Sequence, residues 1–129
     1  MAISILIIED NLMNMELVVD LLEAEGHTLL QATDAEHGIL LARSACPDLI
    51  LMDVALPGMD GLQATQILKT DSLTHAIPIV ALTAHAMAGD AAKALAAGCA
   101  GYLAKPINTR TFVSNLAGYI DKASLPLVA

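Results

Sequence analysis

Three carboxylates, a hydroxyl and an ammonium recur at one kind of place in this chain, directly after a short apolar run. Glu9-Asp10 follows residues 3–8, Asp53 follows 49–52, Thr83-Ala84 follows 77–82 and Lys105-Pro106 follows 101–104. A single acid at such a point is usually a solvated loop residue. Here the pattern repeats after four separate runs. Two carboxylates about 4 Å apart repel by roughly 4 kcal/mol at an effective dielectric near 20. A cluster of three raises its own pKa values or recruits a cation. An all-oxygen set without His or Cys favours a hard ion, Mg²⁺ before Zn²⁺. A carboxylate beside such an ion and a lone lysine suits phosphoryl transfer. The aspartate can be the nucleophile, while metal and ammonium neutralise charge on the transferring group.

Stepping along the chain shows which elements must hold these groups. The runs at 3–8, 49–52 and 77–82 are nearly unbroken and rich in branched residues, as strands buried on both faces of a parallel sheet are. Residues 28–32 and 101–104 are weaker strand candidates. Helical patterns lie between them. Leu12, Met15, Val18, Val19 and Leu22 share one face, with Gly26 as the stop. Thr33-Asp34-Ala35-Glu36 fits a capping box opening a second helix that ends before Pro47. A third helix is expected from Gly61 to about Asp71, and a fourth over 87–97, stopped by Gly98. A fifth begins near Asn108 or Thr109 and buries Phe112, Val113, Leu116 and Ile120. Five strand–helix units predict an α/β doubly wound fold around a central five-stranded parallel sheet. Ligands of such sheets sit beyond the carboxyl ends of the strands.

Composition narrows the functional classes. The 129 residues are one domain's worth of chain, with 6 Lys+Arg against 14 Asp+Glu and a formal charge of −8. All of the acidic excess lies before Arg43, the first basic residue. A basic groove for nucleic acid is therefore not expected, nor are stacking platforms from a chain with two Tyr, one Phe and no Trp. No positively charged leader and no apolar run of membrane-spanning length is evident, so a cytoplasmic protein without membrane contact is expected. Cys46 and Cys99 have no CxxC partner and read as two small buried hydrophobes.

Four segments in order make the chain resemble a known family. They are Ile8-Glu9-Asp10-Asn11; Leu51-Met52-Asp53 followed by Leu56-Pro57-Gly58-Met59-Asp60-Gly61; Leu82-Thr83-Ala84; and Tyr102-Leu103-Ala104-Lys105-Pro106-Ile107. Jointly they resemble the receiver domain of two-component signalling, in particular a single-domain response regulator of the CheY or DivK kind. The resemblance runs from Ile3 to about Lys122. It implies a receiver over residues 1–123 with a short tail at 124–129, and the flavodoxin- and CheY-like strand order 2-1-3-4-5.

The resemblance also implies roles. Asp53 would accept a phosphoryl group from a histidine kinase or a histidine phosphotransfer protein. Glu9, Asp10 and Asp53 would hold Mg²⁺ together with the backbone carbonyl of Ala55. Thr83 and Lys105 would each contact a phosphoryl oxygen, and Lys105-Pro106 is similar to a bond often cis in the family. Gly58 and Gly61 would shape the loop after Asp53. Thr83 and Tyr102 would form a switch that remodels the face of the fourth helix, fifth strand and fifth helix, where a downstream target protein docks. Ala55 and His85 flank the attacking water in the family, and Ala55 offers no side chain to orient it, so a long-lived phosphoryl form is expected. The protein would catalyse only its own phosphorylation and dephosphorylation.

Other residues carry weaker readings. Glu16, Asp20 and Glu23 form an acidic helix face, expected to be solvated. His27, His37 and His75 read as scattered surface residues. Leu12 and Met13 are candidates for kinase contact by family analogy, and Asn11-Leu12-Met13-Asn14 looks most like receivers of hybrid kinases and DivK-type regulators. One alternative is a phosphate relay or sink derived from a hybrid kinase. A remote one is a flavodoxin-like electron carrier, against which Glu9-Asp10 would repel a flavin phosphate.

Overall fold

The computed structural model describes residues 2–84 and 89–124. Five strands, β1 (Ser4–Ile8), β2 (Thr28–Ala32), β3 (Leu49–Asp53), β4 (Ile79–Thr83) and β5 (Gly101–Ala104), alternate with five helices. The helices are α1 (Leu12–Ala24), α2 (Ala35–Ala45), α3 (Gly61–Thr70), α4 (Asp90–Ala97) and α5 (Phe112–Ser124). All strand pairings are parallel and the order is β2-β1-β3-β4-β5, as expected from the sequence.

The near-continuous apolar runs are explained by burial on both faces. Alternate side chains point to opposite sides of a strand. Leu6, Ile8, Ile50, Met52, Ile79 and Ala81 therefore share one core with Ala42 of α2, Leu68 of α3 and Ala94 of α4. Ile5, Ile7, Leu49, Leu51, Val80 and Leu82 share the other with α1 (Met15, Val18, Leu22) and α5 (Phe112, Leu116, Ile120). Small residues let the first layer approach closely. A Cβ placed on Gly38 of α2 would collide with the Ile8 side chain.

Register then decides what meets at the carboxyl edge. Ile8 pairs with Met52, so the next residues, Glu9 and Asp53, stand side by side. Thr83 pairs with Ala104, which brings Lys105 beside it.

Several local expectations shift. The second helix is capped by Asp34 rather than Thr33, because the Asp34 carboxylate reaches the His37 amide at 2.8 Å. The fifth helix begins at Phe112, after a turn in which the Asn108 side chain accepts from the Arg110 amide. Residues 87 and 88, the expected start of the fourth helix, lie outside the described residues, as does His85. Cys99 is buried, but Cys46 is exposed. It caps α2 in the left-handed conformation (φ 46°) just before Pro47, and so is turned away from the core.

His27 is the other correction: it is buried, not on the surface. Its Nδ1 accepts the Ile3 amide at 3.1 Å, at the edge of the sheet opposite the acids. That acceptor must be unprotonated, and burial holds the imidazole below its ordinary 6.5. The unfolded chain therefore binds more protons here than the folded one, so this contribution to stability is complete above about 6.5 and declines as the pH falls below it. We predict that wild type loses more urea stability between pH 7.5 and 5.5 than His27→Gln, whose amide oxygen can still accept from Ile3. Parallel pH dependence in the two proteins would contradict this.

Candidate functional site

The carboxyl ends of β3, β4 and β5 line one small hollow, and the acids that follow β1 stand beside it. Glu9 and Asp53 are buried, while Asp10 is exposed at the rim. One carboxylate oxygen from each of the three lies within 4.8 Å of the others. Beneath them the Lys105 ammonium donates to Asp53 Oδ2 at 2.9 Å and to both Glu9 oxygens at 3.1 and 3.2 Å. The Ala55 amide donates to Asp53 Oδ1 at 3.0 Å. Asp53, Val54, Ala55, Leu82, Thr83, Ala84 and Lys105 line a cavity of about 80 Å³. Larger hollows of about 540 and 550 Å³ lie against α3 and between β2 and α2, but their walls carry none of these acids.

The surrounding backbone explains how these groups come so close. Val54 and Lys105 continue the sheet ladder through amide bonds to Leu82 O and Thr83 O at 3.0 and 2.8 Å. The chain then turns through Gly58 (φ +72°) into α3, which opens with a capping box between Asp60 and Gln63. A Cβ on Gly61 would strike the Asp53 carbonyl, so only glycine lets α3 start this close to β3. The Lys105-Pro106 bond is cis, as the resemblance implied.

Charges here are far from independent. Burial, reinforced by the neighbouring Asp53, pushes the Glu9 carboxyl up to about 7 against the opposing hydrogen bonds of Asn14 and Lys105. Burial also works against ionised Asp53, but hydrogen bonds from Glu9, Lys105 and the Ala55 amide outweigh it and hold Asp53 below the usual carboxylate range. Burial opposes the Lys105 charge as well, and Asp53 and Glu9 more than restore it. Two buried acids and one ammonium thus share protons and charge.

The oxygen-only donor set, three carboxylates with no His or Cys, fits a hard divalent cation such as Mg²⁺. Glu9, Asp10 and Asp53 are the side chains that would hold it.

Most residues singled out in the sequence meet here: Glu9, Asp10, Asp53, Ala55, Thr83 and Lys105. Tyr102 does not. It lies on β5 with 40% of its surface exposed. Asn14 was not anticipated, yet its Nδ2 donates to Glu9 Oε1 at 3.0 Å. The signal was available as an amide residue in the first turn of the helix that follows the acidic pair.

Comparison with known proteins places these features in context. The model of the response regulator receiver domain matches residues 5–117. The polar-differentiation response regulator DivK of Brucella anthropi is 41% identical over 120 residues, covering 93% of this chain and 98% of its own. Among solved structures, the receiver domain of the sensor histidine kinase PA1611 from Pseudomonas aeruginosa is 33% identical, with a TM-score of 0.84 over 94% of this chain and 99% of that one. It has a magnesium ion coordinated in its active-site cleft. The chemotaxis response regulator CheY4 of Vibrio cholerae is 25% identical with a TM-score of 0.86, over 92% and 98% of the two chains. None of these matches supports the flavin-carrier alternative.

The mutual repulsion at the site has a measurable consequence. Replacing Asp10 by Asn removes one charge within 4.8 Å of two other acids. Even at the dielectric of bulk water, the weakest limit, two charges about 4 Å apart repel by about 1 kcal/mol. Asp10→Asn is expected to stabilise the metal-free protein by about 1 kcal/mol in urea denaturation.

Proposed function

The chain belongs to the response regulator receiver domain family of two-component signalling, and on that premise we propose that Asp53 is its phosphoryl acceptor. The observation that carries this reading is the presence of Asp53 in the wall of the small cavity, with an ammonium at 2.9 Å and oxygens of two further carboxylates within 4.8 Å. Hydrogen bonds that hold Asp53 ionised keep it a competent nucleophile. An Asp53 oxygen attacks the phosphorus of a phosphohistidine in line, the P–O bond forms, and the P–N bond breaks with its electron pair remaining on the donor nitrogen. Lys105, already against Asp53, offsets the negative charge of the transferring group. Thr83, buried at the cavity wall, would donate its hydroxyl to a phosphoryl oxygen. Magnesium, when held by Glu9, Asp10 and Asp53 with the Ala55 carbonyl, supplies further neutralisation of that charge.

Receiver domains exchange phosphoryl groups with histidine kinases and phosphotransfer proteins. On this chain we assign the donor-facing edge to Leu12 and Met13, which are 71% and 80% exposed at the start of α1, just beyond Asp10. The output surface is assigned to α4, β5 and α5, where Tyr102 and Leu95 leave apolar surface in water. A location in the cytoplasm accords with this role; among the described residues no helix is long and apolar enough to cross a membrane. A relay role is the second reading, favoured by the likeness to a receiver domain of a sensor histidine kinase.

Two experiments test the assignment. Intact mass after incubation with acetyl phosphate and Mg²⁺ should rise by one phosphoryl group in wild type, but not in Asp53→Asn or in a chelated sample. The label should persist after donor removal, because Ala55 carries no group to orient water; rapid loss with Mg²⁺ present would refute that part. Amide chemical shifts of residues 89–118 should move on phosphorylation, and less in Tyr102→Ala. Unchanged shifts there, with no phosphorylation-dependent partner capture, would favour the relay.

A further inference from the structure

The segment Asn11-Leu12-Met13-Asn14 holds two amides that phosphoryl chemistry does not use. Asn11 caps α1, its Oδ1 accepting the Asn14 amide at 3.0 Å. That bond fixes the backbone at Asn14, whose own side chain turns the other way and donates to Glu9 Oε1 at 3.0 Å. Glu9 is wholly buried and Asn14 half-buried, so the contact is shielded from water.

Glu9 otherwise takes its donors from Lys105, which also serves Asp53. A lysine shared with Asp53 is not a partner dedicated to Glu9. A glutamate has one more side-chain torsion than an aspartate, so a carboxylate left with a mobile partner would sample several orientations. Asn14 offers a donor that is neutral, is fixed by a helix cap and does not take part in the transfer.

We propose that Asn14 is a positioning residue of the metal centre, holding the Glu9 carboxylate in the orientation that lets it act together with Asp10 and Asp53. The inference rests on reading those three acids as a Mg²⁺ site. Partners of this kind, hydrogen-bonded to a metal ligand, typically change metal affinity by 10- to 100-fold when removed.

The test is calorimetric titration of Mg²⁺ into the full chain. Asn14→Leu keeps the approximate shape and suits a helix, but removes the donor. It should weaken Mg²⁺ binding by about tenfold, with metal-free urea stability recorded alongside. In a Glu9→Asp background the shorter carboxylate is out of reach of Asn14. There the same Asn14→Leu change should alter affinity less than twofold. A general disturbance of α1 would instead weaken binding equally in both backgrounds, and that result would overturn the proposal. So would Mg²⁺ affinity in Asn14→Leu within twofold of wild type. If Asn14→Leu does not fold, Asn14→Ser, too short to reach Glu9, is read by the same criteria. Wild type that binds no Mg²⁺ refutes the metal site itself, whereas equal binding by wild type and variant refutes only the role of Asn14.

Discussion

Everything at the carboxyl edge of this sheet depends on holding three acidic groups together. Glu9 and Asp53 are almost fully withdrawn from water and Asp10 stands within 4.8 Å of both. Left alone, such a cluster would spread apart or take up protons. It persists because Lys105 bonds to both buried acids at once and because the backbone gives the acids nowhere to go. Three come from strand ends in fixed register, and a parallel sheet packed on both faces yields little. The apolar bulk of the molecule is thus the frame against which an electrostatic strain is maintained.

That frame also explains residues with no chemistry of their own. Gly61 allows α3 to begin against the Asp53 carbonyl, which keeps the loop bearing Ala55 folded over the cavity. Gly38 brings α2 onto Ile8, the residue before Glu9. Asn11 sets the first turn of α1 beside the acids. Each lies one or two bonds of influence from a charged group, so a change in packing there moves the site.

Much of this was legible in the sequence, for reasons that differ by level. The doubly wound parallel sheet and the convergence of Glu9, Asp53, Thr83 and Lys105 follow from a repeated pattern of buried run and polar end, which many residues report together, whereas the strand order came with the family resemblance. Single residues are judged on less. Thr33 and Asp34 are both good caps, and only the reach of the Asp34 carboxylate to His37 decides between them. His27 looks like a surface residue beside Gly26, yet the start of β1 needs an acceptor for the Ile3 amide and the imidazole supplies it. Cys46 is apolar by type, but helix termination takes precedence over burial and turns it outward. Asn14 escaped because its partner lies across a cap in the preceding strand end, where neither helical nor strand periodicity predicts a contact.

The strained edge has a consequence for how a signal could be carried. A site in equilibrium with its surroundings, with every charge matched, would respond little to one added group. Here Lys105 is divided between Glu9 and Asp53, and Glu9 sits near the point of gaining a proton at neutral pH. Any change in charge at Asp53 therefore acts on a lysine that Glu9 shares. Lys105 directly follows β5, and Tyr102, three residues earlier on that strand, is partly exposed, so the sheet edge and an outer surface share one short strand. A conformational change needs a differential interaction with two states, and the shared lysine provides one at the sheet edge. Removing the repulsion would steady the protein at the expense of the site, the usual trade-off between stability and a strained functional centre.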